Sequence, residues 1–125
     1  MMPKFRAWDT TNKEMFKDTF AITESGQVVV VDQSSVFVSP DYVFVDHLVV
    51  MQSTGFKDKN GKEIFEGDIL GTKNGLLNGV VEYRTDLGMW TNSLIRYNNF
   101  ERLYHIAGDR EIIGNIYENK ELLDA

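Results

Sequence analysis

The sequence predicts a mainly β fold, all-β bordering on α+β: a small antiparallel barrel or strongly curled sheet with a short C-terminal helix. Three observations carry that expectation. Apolar residues recur mostly at a spacing of two. Runs of Val, Ile, Phe and Tyr favour pleated surfaces. Gly paired with Asn or Asp interrupts the chain at short intervals, the spacing of a meander of short strands.

The elements follow in order. "KFRAW" (4–8) predicts a first strand and "DTTNKEM" (9–15) a turn, because Asp and Asn side chains bond their own backbone. "MFKDTFAI" (15–22) predicts the return strand, and "SGQVVVV" (25–31) a turn leading into a β-branched strand. "DQSSVFVSPD" (32–41) reads as a loop holding a short strand that stops at Pro40. "YVFVDHLVVMQ" (42–52) predicts one long strand with Val43, Val45, His47, Val49 and Met51 on one face. "DKNGKE" (58–63) contains Asn-Gly, a hairpin signal in which both turn residues take positive φ. In "EGDIL" (66–70), Gly67 marks a bulge or sharp corner that Asp68 holds by bonding nearby N–H groups.

"LNGVVEYR" (77–84) predicts a second Asn-Gly turn and a strand, and "TDLG" (85–88) a turn. "MWTNSLIRY" (89–97) and "RLYHIAG" (102–108) read as strands around the polar "NNFE". "REIIGNIY" (110–117) is a last strand interrupted at Gly114, and "ENKELLDA" (118–125) a short helix with Asn119 as N-cap. The composition shifts near Ser53. This divides an N-terminal β subdomain (1–52) from a barrel-like C-terminal one (53–125), unless the two form one continuous domain (1–125).

The chain has 125 residues, of which 42% are apolar. A chain of this length buries about two-thirds of its unfolded surface, enough for a core. There is no cysteine, which excludes disulfides, thiolate metal sites and cysteine nucleophiles. No apolar run is long enough to span a membrane, and "MMPKFRAWDTTNKE" lacks the apolar stretch of a secretory leader; a cytoplasmic protein without a membrane partner is expected. The net charge of −6 disfavours bulk nucleic-acid binding, which rests on basic excess.

Candidate chemistry is sparse. "GFKDKNGK" (55–62) departs from the phosphate-loop pattern G-x4-G-K-[ST]: five residues separate Gly55 from Gly61, and Glu63 follows Lys62. Asp58, Glu63, Glu66 and Asp68 are the candidate carboxylates of a metal-dependent hydrolase, set against a solvated turn neutralised by Lys57, Lys59 and Lys62. His47 and His105 read as satisfied, partly buried side chains. Ser34, Ser35, Ser53 and Ser93 lack a nucleophile elbow. Arg84, Trp90, Arg96 and Tyr104 form a candidate nucleic-acid face of interleaved aromatic and basic residues, set against ordinary core and rim positions. The expectation is therefore no catalytic residue, no metal and no cofactor.

Four stretches, "KFRAWD" (4–9) with "NKEM" (12–15), "MQSTGFKDKNGKEIFEGDIL" (51–70), "GVVEY" (79–83) and "IIGNIYENKELL" (112–123), resemble the YopX family of small phage and prophage proteins of Gram-positive bacteria. The resemblance implies an accessory protein of a mobile element, expressed in the host cytoplasm. No enzymatic activity comes with it, self-assembly into homo-oligomers is expected, and the partner is an unidentified host or phage protein. Thr54, Gly55, Asp58, Asn60, Gly61, Glu66, Gly67, Asp68, Gly114 and Asn115 are then structural motif residues that set turns and strand register. A nucleic-acid-binding small barrel and the metal-dependent hydrolase remain the alternatives.

Overall fold

The computed structural model describes residues 4–16, 20–22, 28–32, 41–44 and 48–124. The fold is mainly β and antiparallel, with one sheet curled into a half-barrel and only short helical segments among the described residues. Two compact units divide the chain: Phe5–Met51, and Met1–Lys4 together with Gln52–Ala125.

In the N-terminal unit, β1 (Phe5–Asp9) pairs with β2 (Glu14–Phe16). The Asp9 carboxylate builds the turn between them. Its Oδ1 accepts from the Thr11 and Asn12 main-chain N–H groups at 2.9 and 3.0 Å, and its Oδ2 from the Asn12 amide at 3.0 Å. β3 (Phe20–Ile22), β4 (Val28–Asp32) and β5 (Asp41–Phe44) form a separate three-stranded sheet. β6 (Leu48–Lys57) begins in this unit beside β1 and runs on into the next.

The single strand expected over 42–52 is therefore two, β5 and β6, in different sheets. Apart from Asp46, His47 and the terminal Gln52, residues 42–52 are apolar on both faces, so alternation alone does not separate the two strands, whereas Val29–Val31 supply β5 with a β-branched partner strand. Val45, His47, Ser34, Ser35 and positions 33–40 of the loop expected over 32–41 lie outside the described residues; its ends, Asp32 and Asp41, pair across β4 and β5.

In the C-terminal unit, the second half of β6 pairs with β7 (Glu63–Phe65) across an irregular register between Ser53 and Lys57. β8 (Asp68–Gly71), β9 (Gly79–Arg84), β10 (Met89–Leu94), β11 (Phe100–Arg102) and β12 (Glu111–Asn115) form a five-stranded sheet in the order β11-β10-β9-β8-β12. Its core is Ile64, Leu70, Val81, Leu103 and Ala107, with Phe56, Trp90, Ile106 and Ile112 packed around them.

The strand expected over 102–108 is helical. Leu103–Ile106 form α1, and a 3-10 turn follows at Ala107–Asp109. Leu103 and Ala107 enter the core with Ile106 packed beside them, while His105, which a strand would place on their face, is exposed; spacings of three and four are those of a helical turn. The C-terminal segment Lys120–Leu123 is a short 3-10 helix. Asn119 makes no side-chain cap there; its oxygen is engaged elsewhere.

The C-terminal unit also holds the chain's beginning. The Ser53 N–H donates to the Lys4 carbonyl at 2.8 Å, and the Lys4 amine lies 3.9 Å from the Glu63 carboxylate.

Candidate functional site

The candidate site is a seam where the stretches 54–70 and 112–119 meet. It begins at the turn Asp58–Lys62, closed by the Asp58 N–H on the Lys62 carbonyl (2.8 Å) and the Gly61 N–H on the Asp58 carbonyl (3.0 Å). Gly61 takes φ 80°, but Asn60 does not follow; Lys13 is the one non-glycine with positive φ among the described residues. The turn thus differs from the double-positive form expected of Asn-Gly. The cause is Asp58, whose Oδ1 accepts from the Asn60 and Lys62 N–H groups at 2.9 Å each and so fixes the turn with positive φ at Gly61 alone.

The other oxygen of Asp58 reaches across the sequence. Its Oδ2 accepts from the Ile112 N–H at 3.0 Å, and the neighbouring Lys59 N–H donates to the Arg110 carbonyl at 2.9 Å. The turn is so fastened to the outer edge of β12, a strand edge that would otherwise present unpaired donors. Residues 59–62 are exposed, as a solvated turn requires, but the expectation fails for Asp58 itself, which is only 5% exposed. Burial alone would raise its carboxyl. The three N–H donors, from Ile112, Lys62 and Asn60, together with the Lys62 charge outweigh it and hold the group below the usual carboxylate range.

Next comes the corner between β7 and β8. Gly67 takes φ 87° and is buried. Its N–H donates to the Val81 carbonyl at 2.8 Å, and its carbonyl accepts from the Ile116 N–H at 2.9 Å. Glu66, half-buried, donates its N–H to the Gln52 carbonyl at 2.9 Å. Asp68 is 1% exposed, and its Oδ2 accepts from the Phe65 N–H at 2.8 Å, the corner bond expected of it. Asp68 also sits opposite Asn115 in the β8–β12 register.

Asn115 closes the seam. Its Oδ1 accepts from the Tyr117 and Glu118 N–H groups at 3.0 and 2.8 Å, and its amide donates to Glu118 Oε2 at 3.1 Å. Its main-chain N–H donates to Asn119 Oδ1 at 3.0 Å. That Asn119 side chain covers Gly114: a Cβ at 114 would lie 2.5 Å from Asn119 Oδ1. The ladder of β12 slips between Ile112 and Gly114, a bulge at the glycine that the sequence marks. At the other end, the Thr54 hydroxyl donates to the Ile64 carbonyl (2.8 Å) and accepts from the Phe56 N–H (3.0 Å). Gly55 takes φ 82° beside it.

The four carboxylates do not converge. Asp58 and Asp68 hold main-chain donors at separate points, and Glu63 faces Lys4. Among the described residues, no group of three or more His, Cys, Asp and Glu is placed to hold a metal ion. His105 is exposed, with its ring 4.1 Å from that of Tyr104, rather than partly buried as expected.

The register separates the aromatic–basic set. Trp90 faces Tyr83 across β9–β10, and their rings meet edge to face at 5.2 Å on the side that carries Val81. Arg84, one residue on, projects to the opposite side, where it lies 5.1 Å over the Phe100 ring and forms an exposed pair with Asp86 at 2.7 Å. Arg96 is exposed in the bend after β10, and Tyr104 is exposed on α1. Arg84 and Trp90 therefore occupy different faces.

Sequence reasoning missed a buried polar network. Arg110 pairs with both Glu101 oxygens at 2.7 Å, and the Asn92 amide donates to Glu101 Oε1 at 3.1 Å. The Arg110 bond, strengthened by the Asn92 donor, keeps the Glu101 carboxyl low despite burial. Asn92 is fully buried and lies against Gly79, where an added Cβ would strike its amide. Gly79 is accordingly the first residue of β9 and not a turn residue; the turn glycine of that loop is Gly75, with φ 73°. The available signal was a Gly followed by two β-branched residues, which reads equally as a strand that begins at the glycine.

A curled antiparallel sheet whose two marked stretches are stitched by side-chain-to-backbone bonds defines a class of small β protein. The chain belongs to the YopX protein family, which it matches over residues 4–124. It is similar to the crystal structure of protein EF1440 from Enterococcus faecalis, with 31% identity over 98% of this chain and 99% of that one and a TM-score of 0.62. The YopX protein of Bacillus subtilis shares 18% identity over 95% of this chain and 96% of that one, also at a TM-score of 0.62, a likeness of fold alone. No curated protein matches the chain. No helix among the described residues is long and apolar enough to cross a membrane.

Proposed function

We propose that this chain is a non-enzymatic accessory protein of phage or prophage origin that acts in the host cytoplasm by binding another protein, a second copy of itself included. The observation that supports this most is the employment of the motif residues. Asp58, Asp68 and Asn115 are the polar side chains best suited to chemistry, and they hold main-chain donors of the fold itself. What the surface offers instead is large aromatic side chains. Tyr83, Tyr97 and Tyr104 are 47%, 49% and 57% exposed, and tyrosine is a residue type enriched where protein interfaces gain their affinity. The net charge of −6 weighs toward a protein partner over a nucleic acid.

The test is affinity capture from infected host cells, followed by mass spectrometry and nucleic-acid sequencing. A Tyr83→Ser, Tyr104→Ser double variant runs beside the unaltered protein. A protein captured by the latter and lost by the variant, at unchanged melting temperature, supports the reading. Capture of nucleic acid alone, or a variant that keeps every partner, overturns it.

A further inference from the structure

The chain contains three Asn-Gly steps, at Asn60, Asn74 and Asn78. This dipeptide undergoes spontaneous conversion. The glycine main-chain nitrogen attacks the Asn Cγ, a five-membered imide forms, and the side-chain nitrogen leaves as ammonia with the proton that the glycine nitrogen gives up. Water then opens the ring. Opening at Cγ leaves aspartate in an ordinary backbone, and opening at the main-chain carbonyl leaves isoaspartate, with the backbone running through the former side chain. The sequence treats the three steps alike. The structure does not.

Asn78 is half-buried and held. Its Oδ1 accepts from the Thr72 N–H at 3.1 Å, its carbonyl accepts from the Ile95 N–H at 3.0 Å, and Gly79 lies buried in the ladders of β8 and β10. Asn74 is exposed, but its Oδ1 accepts from both the Thr72 hydroxyl and the Leu76 N–H at 3.0 Å, so its Cγ is fixed. The Asn60 side chain is exposed and has one long bond, from its amide to Glu111 Oε1 at 3.5 Å. The nucleophile does not favour Asn74, because the Gly61 and Gly75 N–H groups each donate to a main-chain carbonyl at 3.0 Å. Nothing lies within 4 Å of the Cβ position of Gly61. We propose that Asn60 is a modification site of this protein, converting to aspartate and isoaspartate ahead of Asn74 and Asn78, and that conversion loosens the Asp58 clasp on β12.

Conversion changes both the charge and the length of the turn. A new carboxylate appears beside Glu111, whose Oε1 then faces like charge, and on one of the two residues, 60 and 62, whose N–H groups Asp58 Oδ1 accepts from. The isoaspartyl form adds one carbon, about 1.5 Å, to a turn whose length the bonds of Asp58 define.

The test ages the folded protein at mildly alkaline pH and follows each Asn-Gly peptide by mass spectrometry. An isoaspartyl-specific methyltransferase marks the product, and a parallel sample ages in denaturant. Hydrogen exchange at the Ile112 amide is read on converted and unconverted molecules. Expected are conversion at Asn60 several-fold faster than at the other two in the folded protein, similar rates at all three in denaturant, and faster Ile112 exchange after conversion. Asn74 or Asn78 keeping pace with Asn60 in the folded protein overturns the proposal, as does full Ile112 protection in converted molecules.

Discussion

Asp58→Asn keeps the shape of the side chain and removes one acceptor. With the retained oxygen serving Asn60 and Lys62, the new amide points its hydrogens at the Ile112 N–H. A buried donor left unmet costs about 1–3 kcal/mol, and denaturant unfolding of the variant should show a loss of that size. Acid should act on the same atom. The folded-state value of Asp58 lies below its unfolded one, so the unfolded chain takes up the proton first. The stability from this group is full above the ordinary carboxylate range and is lost as the pH falls through the folded-state value. Unfolding free energy measured against pH should therefore decline on acidification less steeply in Asp58→Asn than in the unaltered protein; parallel curves contradict this. Gly67, at φ 87°, gives a second case. Gly67→Val places a β-branched side chain in a conformation closed to it and should destabilise by about 1–3 kcal/mol. A change within about 0.5 kcal/mol, as at ordinary surface sites, removes the special role of the corner. Both residues stand out in the sequence, Gly67 through its "EGD" context and Asp58 through "DKNG". The identity of the second partner of Asp58 does not, because Ile112 is 54 positions away and no local pattern encodes so distant a bond.

Among the elements, β9 and β10 test how closely two strands fit. A Cβ at 79 strikes the Asn92 amide, and Asn92 is itself tied to the Glu101–Arg110 pair. Gly79→Ala should cost about 1–3 kcal/mol by overpacking. Asn92→Ala opens the space, so the double variant should be more stable than the sum of the single losses by about 0.5–3 kcal/mol; strict additivity would show that the two do not compete. Elements like these were legible where period two was clean, as in "GVVEYR" and the bulged "EIIGN". They were not legible where apolar residues fill both faces on either side of a short polar pair, as over 42–52 around Asp46 and His47, or where helical spacing is short. Leu103, Ile106 and Ala107 do carry an i, i+3, i+4 pattern, but a single turn offers too few repeats to outweigh the β-forming Tyr104 and Ile106. The buried Asn92–Glu101–Arg110 network left no trace in the sequence because its members are ordinary surface residue types.

At the scale of the whole molecule, one core cluster among the described residues, Ile64, Leu70, Val81, Leu103 and Ala107, is drawn entirely from one of the two units. That unit takes the Lys4 carbonyl onto the Ser53 N–H at 2.8 Å, so the segment 5–51 departs and returns at adjacent points. Replacing 5–51 by two or three Gly and Ser residues, each spanning up to about 3.5 Å, should leave a chain that melts cooperatively with a β-type circular dichroism spectrum. A broad, featureless melt would contradict this. The same adjacency has an evolutionary consequence. A stretch whose two ends meet can grow, shrink or be traded for foreign sequence without rerouting the chain around it. Across relatives, length variation should therefore collect between positions 5 and 51, as in a socket that accepts different inserts, while the stitched strands after position 52 keep their count.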